Sequence, residues 1–197
     1  HPPYPKGKQL LKNPSFEDES LDAWELLDDY VEEGDNLSLG LERSDNDSHG
    51  GNYSLRVLPN EIAAAWRLTV TQYNIKVKPL AEYDVSLWVK DHSAECMIKF
   101  FWNKIQLSGE CTGTYGWSQC SRVIASWMTN EPEYGDRGDL SAFVSCPSYV
   151  SGRFYIDDFT MTEIPNPINE ICVDRPCSDE VEESPDRWTV GNGDKEA

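Results

Sequence analysis

Phe154-Tyr155-Ile156-Asp157-Asp158-Phe159-Thr160-Met161-Thr162, read with Asn13-Pro14-Ser15-Phe16-Glu17-Asp18 and Trp24 at the other end of the chain, decides the fold. The two stretches look like the last and first strands of one β-sandwich, meeting with acidic side chains at the junction. Between them, period-two segments are separated by turn residues at short intervals. Strands are predicted over Tyr53–Val57, Ala64–Tyr73, Tyr83–Lys90, Cys96–Trp102, Gln119–Trp127, Leu140–Cys146 and Arg153–Thr162. In Tyr83–Lys90, the residues Tyr83, Val85, Leu87 and Val89 share one face, which is core. Asp84, Ser86, Trp88 and Lys90 share the other, leaving Trp88 among polar neighbours. Leu21 to Glu33 fits an amphipathic helix, but a strand and loop from Trp24 is preferred. The expectation is an all-β sandwich or jelly roll over residues 9–164. Residues 1–8 read as a flexible arm, and after Pro165-Asn166-Pro167 residues 165–197 read as a short, irregular, acidic extension containing cysteine.

Net charge is -18, and it is unevenly placed. Residues 15–50 carry thirteen Asp/Glu against Arg43 alone, and residues 165–197 carry nine against three basic residues. Such a field repels nucleic acid and anionic membranes while favouring divalent cations, basic partners or neutral ligands. No apolar run approaches the ~18 residues of a membrane span. Six cysteines (Cys96, Cys111, Cys120, Cys146, Cys172 and Cys177) suggest disulfides and an oxidising compartment, with about 15 connectivities open. Cys172 and Cys177 suit a small local ring or pairing with the body. Three sequons, at Asn36, Asn46 and Asn52, predict glycosylation. Together these features point to a secreted, extracellular protein, read as a mature or trimmed chain because no signal peptide is visible at His1.

Five landmarks occur in order: Asn13 to Trp24, Gly51-Asn52-Tyr53-Ser54-Leu55-Arg56-Val57, Tyr83 to Lys90, Thr112-Gly113-Thr114-Tyr115-Gly116-Trp117 and Tyr155-Ile156-Asp157-Asp158-Phe159. Their succession resembles the carbohydrate-binding modules of families 4, 9, 16 and 22. The resemblance implies a galactose-binding-domain-like β-jelly roll, non-catalytic, that binds a polysaccharide or glycan. It also implies one structural calcium ion held by Glu17 and Asp157, with the backbone carbonyls around Gly51 and Asn52 as additional ligands. Calcium takes six to eight oxygens, and two strand ends carrying acids repel one another unless a cation lies between them. Otherwise both carboxylates face water or cap backbone amides. Strand alternation puts Asp158 on the opposite face from Asp157, so one of the two is expected to be the main ligand.

Sugar recognition needs flat aromatic faces and hydrogen-bonding groups. Trp66, Trp88, Trp102 and Trp127 are the candidate platforms, set against the plain alternative that a sandwich tryptophan packs in the core. Gln72 and Arg56 are candidate hydrogen-bonding residues, while Trp24 and Trp117 look like core or turn anchors. His1, as a true amino terminus, would offer a copper-binding amine and imidazole, against which stands a flexible Pro2-Pro3 arm. Arg137-Gly138-Asp139 is an integrin-type tripeptide expected in an exposed loop. The acids cluster in loops and tail rather than facing a cleft in pairs, and no nucleophile-elbow, zincin or phosphate-loop motif is present. The chain therefore reads as a binding protein and not an enzyme. A second reading is an extracellular structural or assembly glycoprotein of matrix, coat or filament, acting by self-association or with another extracellular protein.

Overall fold

The computed structural model describes residues 7–30, 40–58, 65–147 and 153–165, with the backbone alone for 28–30. The strands are β1 Glu25–Tyr30, β2 Gly40–Ser44, β3 Ser54–Leu58, β4 Trp66–Lys76, β5 Tyr83–Asp91 and β6 Met97–Trp102. They continue as β7 Ile105–Gln106, β8 Cys111–Thr112, β9 Ser118–Ile124, β10 Arg137–Cys146 and β11 Phe154–Glu163, with a 3-10 turn at Ser126–Thr129. One sheet has the order β1-β4-β10-β6-β7, with β8 also on β6. The other has the order β2-β3-β11-β5-β9, and neighbours in both run antiparallel. This is the expected all-β sandwich.

Alternation drives the packing. Leu68, Val70, Ile98, Leu140 and Val144 from the first sheet meet Val57, Val85, Leu87 and Ile156 from the second, and all are fully buried. Each such side chain contributes about 1.5–3 kcal/mol of transfer free energy. The face expected from Tyr83–Lys90 is the one observed, with Tyr83, Val85, Leu87 and Val89 inside. Leu21 to Trp24 make a turn and Glu25–Tyr30 form the strand β1, as preferred over a helix. Strands β2, β7 and β8 were not expected: two are only two residues long, and β2 carries Glu42 and Arg43 in its middle, which masks alternation. The Gln119–Trp127 expectation overran, because the backbone turns into the 3-10 segment after Ile124.

The amino-terminal landmark meets the last strand without being a strand. Gln9 bridges Thr162, and Phe159 N–H donates to the Pro14 carbonyl at 2.8 Å. Asn13 and Phe16, at φ 45° and 54°, turn the chain between them. Trp24 acts as the expected anchor: its ring stacks on Phe159 at 5.2 Å and its indole N–H donates to the Asn13 carbonyl at 3.0 Å. Cys96–Cys146 and Cys111–Cys120 are disulfide-bonded, the first tying the start of β6 to the end of β10. Cys172 and Cys177 lie outside the described residues.

Gly138 of β10 faces the buried Trp102 indole so closely that any Cβ there collides with the ring. Gly138→Ala should therefore lower stability by about 1–3 kcal/mol through overpacking, read by urea unfolding.

Candidate functional site

The outward face of the first sheet forms an open cleft. Cross-strand register arranges it in rows: Glu25, Thr71, Ser141 and Phe101 lie side by side on β1, β4, β10 and β6. The next row is Leu27, Thr69, Phe143 and Lys99. These residues point outward because their neighbours Leu68, Val70, Phe100, Leu140, Ala142 and Val144 take the core face. The cleft has a volume of ≈ 330 Å³ and is lined by Thr69, Thr71, Tyr73, Phe101, Lys104, Asp139, Ser141 and Phe143. Phe101 and Phe143 meet edge to face at 6.5 Å, while Tyr73 is 53% exposed. Thr71 and Ser141 share a hydroxyl hydrogen bond of 2.8 Å across the floor.

One corner is built by unusual backbone. A two-residue connection, Asn103-Lys104, joins β6 to β7 with φ 48° and 70°, the signs that a type I′ hairpin requires. Asn103 is buried; its Oδ1 accepts the Asp139 N–H at 2.8 Å and its own N–H donates to the Asp139 carbonyl at 2.9 Å. Asp139 stands opposite a bulge in β4 made by Tyr73 and Asn74, and its Oδ1 accepts the N–H of Asn74, itself at φ 62°. The Tyr73 hydroxyl donates to Glu25, whose carboxylate holds the phenol above its usual range.

The tryptophans do not line this cleft. Trp66 and Trp102 are fully buried and point into the core, so neither can offer a ring face to a ligand. Trp102 instead donates its indole N–H to the Met128 carbonyl at 3.1 Å. Gln72 is also turned inward, where its amide clamps the N–H and carbonyl of Lys12 at 2.8 and 3.0 Å. Trp88 and Arg56 lie on the other sheet: Trp88 is covered by the His49 ring at 3.6 Å, and Arg56 pairs with Glu42 at 2.8 Å. Trp127 is 61% exposed, on the 3-10 turn. Trp117 behaves as an anchor, donating to Asp47 at 3.0 Å. Arg137-Gly138-Asp139 lies on a strand rather than a loop tip, with Gly138 against the core and Asp139 in the cleft. His1 and the Asn36 sequon lie outside the described residues, whereas Asn46 and Asn52 are exposed.

The acidic junction also takes shape. Glu17 Oε1 accepts the N–H groups of Asn52 and Tyr53 at 2.8 and 3.0 Å. Asp157 Oδ2 accepts those of His49 and Gly50 at 2.8 and 3.0 Å, and its Oδ1 that of Asp158 at 2.7 Å. The expected alternation fails here, because β11 is irregular between Asp157 and Thr160 and Asp158 has φ 45°. Asp158 thus turns onto the same loop, bonding Ser15 Oγ at 2.6 Å and His49 Nδ1 at 2.7 Å. Gly51, at φ 71°, has no Cβ where Glu17 approaches it. A carboxylate offers about four lone-pair sites, and among the described residues Glu17 Oε2 bears no hydrogen bond. Asp157 is fully buried without a cationic side chain on it, and burial pushes its carboxyl up to about 6. Both carboxylates thus cap backbone amides, Gly51 leaves room for the Glu17 carboxylate, and no group of three or more acidic, His or Cys side chains converges among the described residues; the oxygen donors left for a hard cation are Glu17 Oε2 and backbone carbonyls.

Residues 8–133 match the family model CBM_4_9, described as a carbohydrate binding domain. The chain belongs to that carbohydrate-binding domain family. Among solved structures, it is similar to TmCBM61 in complex with β-1,4-galactotriose, with a TM-score of 0.58 and 17% identity over 80% of this chain and 99% of that one. It is also similar to the CBM22-1 xylan-binding domain of Paenibacillus barcinonensis Xyn10C, at 0.55 and 14%, over 83% and 99%. A Stig cyclase from Fischerella sp. TAU shares the fold at 0.52 and 13%, over 82% and 99%. A search of the curated proteins finds no match.

The raised Asp157 carboxyl fixes a sign for metal-free protein. The folded state holds this proton between its unfolded value, near 4, and about 6, so the stabilisation is full at low pH and lost as pH rises through that window. Urea unfolding in chelator should show this group contributing about 2 kcal/mol less at pH 7 than at pH 4. Asp157→Asn should flatten that dependence.

Proposed function

We propose that this chain is a secreted, non-catalytic module that holds a segment of polysaccharide in the cleft on the β1-β4-β10-β6 face, stabilised by one calcium ion. The observation that carries the reading is the placement of the exposed Tyr73 and the half-buried Phe101 and Phe143 on one open sheet face, with hydroxyl groups between them. Phe143 pairs with Thr69, four residues before Tyr73, so the two rings stand roughly 13 Å apart along the strand direction. That is the length of a short oligosaccharide, and the cleft is open along it. The rings cover apolar sugar faces while Thr69, Ser141, Asp139 and Lys104 meet hydroxyls.

The xylan and β-1,4-galactotriose in the descriptions of the neighbouring structures support neutral polysaccharide as the ligand class. Among the described residues Asp139 is the one carboxylate lining the cleft, with Glu25 engaged by the Tyr73 hydroxyl; this supports binding without hydrolysis, because glycoside cleavage typically needs two free carboxyl groups. Two disulfides and the exposed sequons at Asn46 and Asn52 support an extracellular, glycosylated protein. The ion would lie between Glu17 and Asp157, with carbonyls of Gly51 and Asn52, joining the amino-terminal segment to the last strand.

Titration calorimetry against soluble β-glucan, xylan and β-1,4-galactan tests the cleft. One of these should bind, and Tyr73→Ala or Phe101→Ala should weaken it about tenfold or more, as loss of a stacking ring does. Trp88→Ala, on the opposite sheet, should leave the affinity unchanged. Absence of binding to every polysaccharide, with concentration-dependent assembly in its place, would favour the structural reading. For the ion, calcium at a hundredfold over its dissociation constant should add about 2.7 kcal/mol. That corresponds to a melting point about 5–10 °C higher than in chelator, and an unchanged one sinks the calcium claim.

A further inference from the structure

We infer that Asp139 and Lys104 form a polar subsite that selects one neutral sugar unit by its adjacent hydroxyls, stacked on the Tyr73 ring; this rests on the cleft being the glycan site. Both side chains line the cleft beside Tyr73. Neither takes part in an ion pair among the described residues, whereas Lys76, Lys78, Lys90 and Lys99 each do. An unpaired ammonium and an unpaired carboxylate facing one cleft present three donors and two acceptor oxygens to whatever enters. Asp139 Oδ1 is already engaged by the Asn74 N–H, which orients the carboxylate and leaves Oδ2 for a ligand hydroxyl.

The backbone is arranged to hold this pair. Asn74, Asn103 and Lys104 occupy the left-handed region, and the first two bond directly to Asp139. A lysine at φ 70° is costly where glycine would be at ease, so Lys104 is retained at some cost in stability. Regular alternation along β10 puts Asp139 on the cleft face with Ser141 and Phe143, and the bulge opposite it, formed by Tyr73 and Asn74 of β4, brings the Asn74 N–H to its carboxylate. Carboxylate and ammonium together suit a sugar unit that both donates and accepts through neighbouring hydroxyls. A uronate would set its own charge against Asp139 and Glu25, in a chain of net charge -18.

The test uses the full chain, with affinities for soluble β-glucan, xylan, β-1,4-galactan and polygalacturonate by calorimetry and melting points measured in parallel. Asp139→Asn keeps an acceptor for Asn74 but removes the charge; Lys104→Gly removes the ammonium and relieves the backbone. A neutral polysaccharide should bind, and each variant should lose about tenfold to a hundredfold in affinity, the scale of a hydrogen bond to a charged group. Lys104→Gly should meanwhile melt no lower than the parent, which separates loss of contact from loss of fold. If both variants bind like the parent while Tyr73→Ala does not, the subsite is wrong and the cleft reading stands. Preference for polygalacturonate overturns the subsite, and no binding by any probe overturns the cleft reading and the subsite together.

Discussion

The fully buried carboxylate of Asp157 is the constraint around which one side of the sandwich is organised. A charge out of water must be met by donors or a cation, and here three backbone amides are turned toward it from His49, Gly50 and Asp158. Meeting them forces β11 out of regular pleat, which brings Asp158 onto the same loop and Phe159 N–H to the Pro14 carbonyl. Glu17 then secures the far end of the loop through Asn52 and Tyr53. Arg43 adds a guanidinium that donates to the carbonyls of Phe16 and Glu17 at 2.7 and 2.6 Å while lying over the Tyr53 ring. Three chain segments far apart in sequence are thereby joined at one acidic junction.

That junction settles the division of labour between the faces. The loop it pins lays His49 over Trp88 and brings Asp47 to both Lys90 and Trp117, covering much of the outward surface of the second sheet. The first sheet keeps its outward face open, with Tyr73 exposed and Phe101 and Phe143 half-buried there. Its stiffness comes from β10, which pairs with β4 on one side and β6 on the other, and from the Cys96–Cys146 link at its end.

Much of the sandwich was legible because burial on one face imposes period two on a strand. Tyr83–Lys90 gave its inward set correctly, and Ala64–Tyr73 anticipated most of β4. The same logic read outward contained the cleft: Thr69, Thr71 and Tyr73 alternate with Leu68 and Val70, just as Phe101 and Phe143 alternate with core neighbours. Residue type did not mark it. The largest ring also has the most to gain from burial, so Trp66 and Trp102 went to the core, whereas Tyr73 stands exposed on the cleft and Trp127 on the 3-10 turn away from its lining.

The order of landmarks, the alternation within strands and the cysteine count are local properties, and the sequence by itself determined the all-β class, the family resemblance and the meeting of the amino-terminal segment with the last strand. Which outward face stays open is not local. It depends on where the 45–53 loop falls, on the bulges at Tyr73-Asn74 in β4 and after Asp157 in β11, and on the left-handed turn at Asn103-Lys104. An extra residue in a strand reverses every side chain beyond it, so only the tertiary structure decided that Asp158 joins Asp157. The pairing of Cys96 with Cys146 was decided in the same way, because strand register, and not spacing along the chain, brings their sulfurs together.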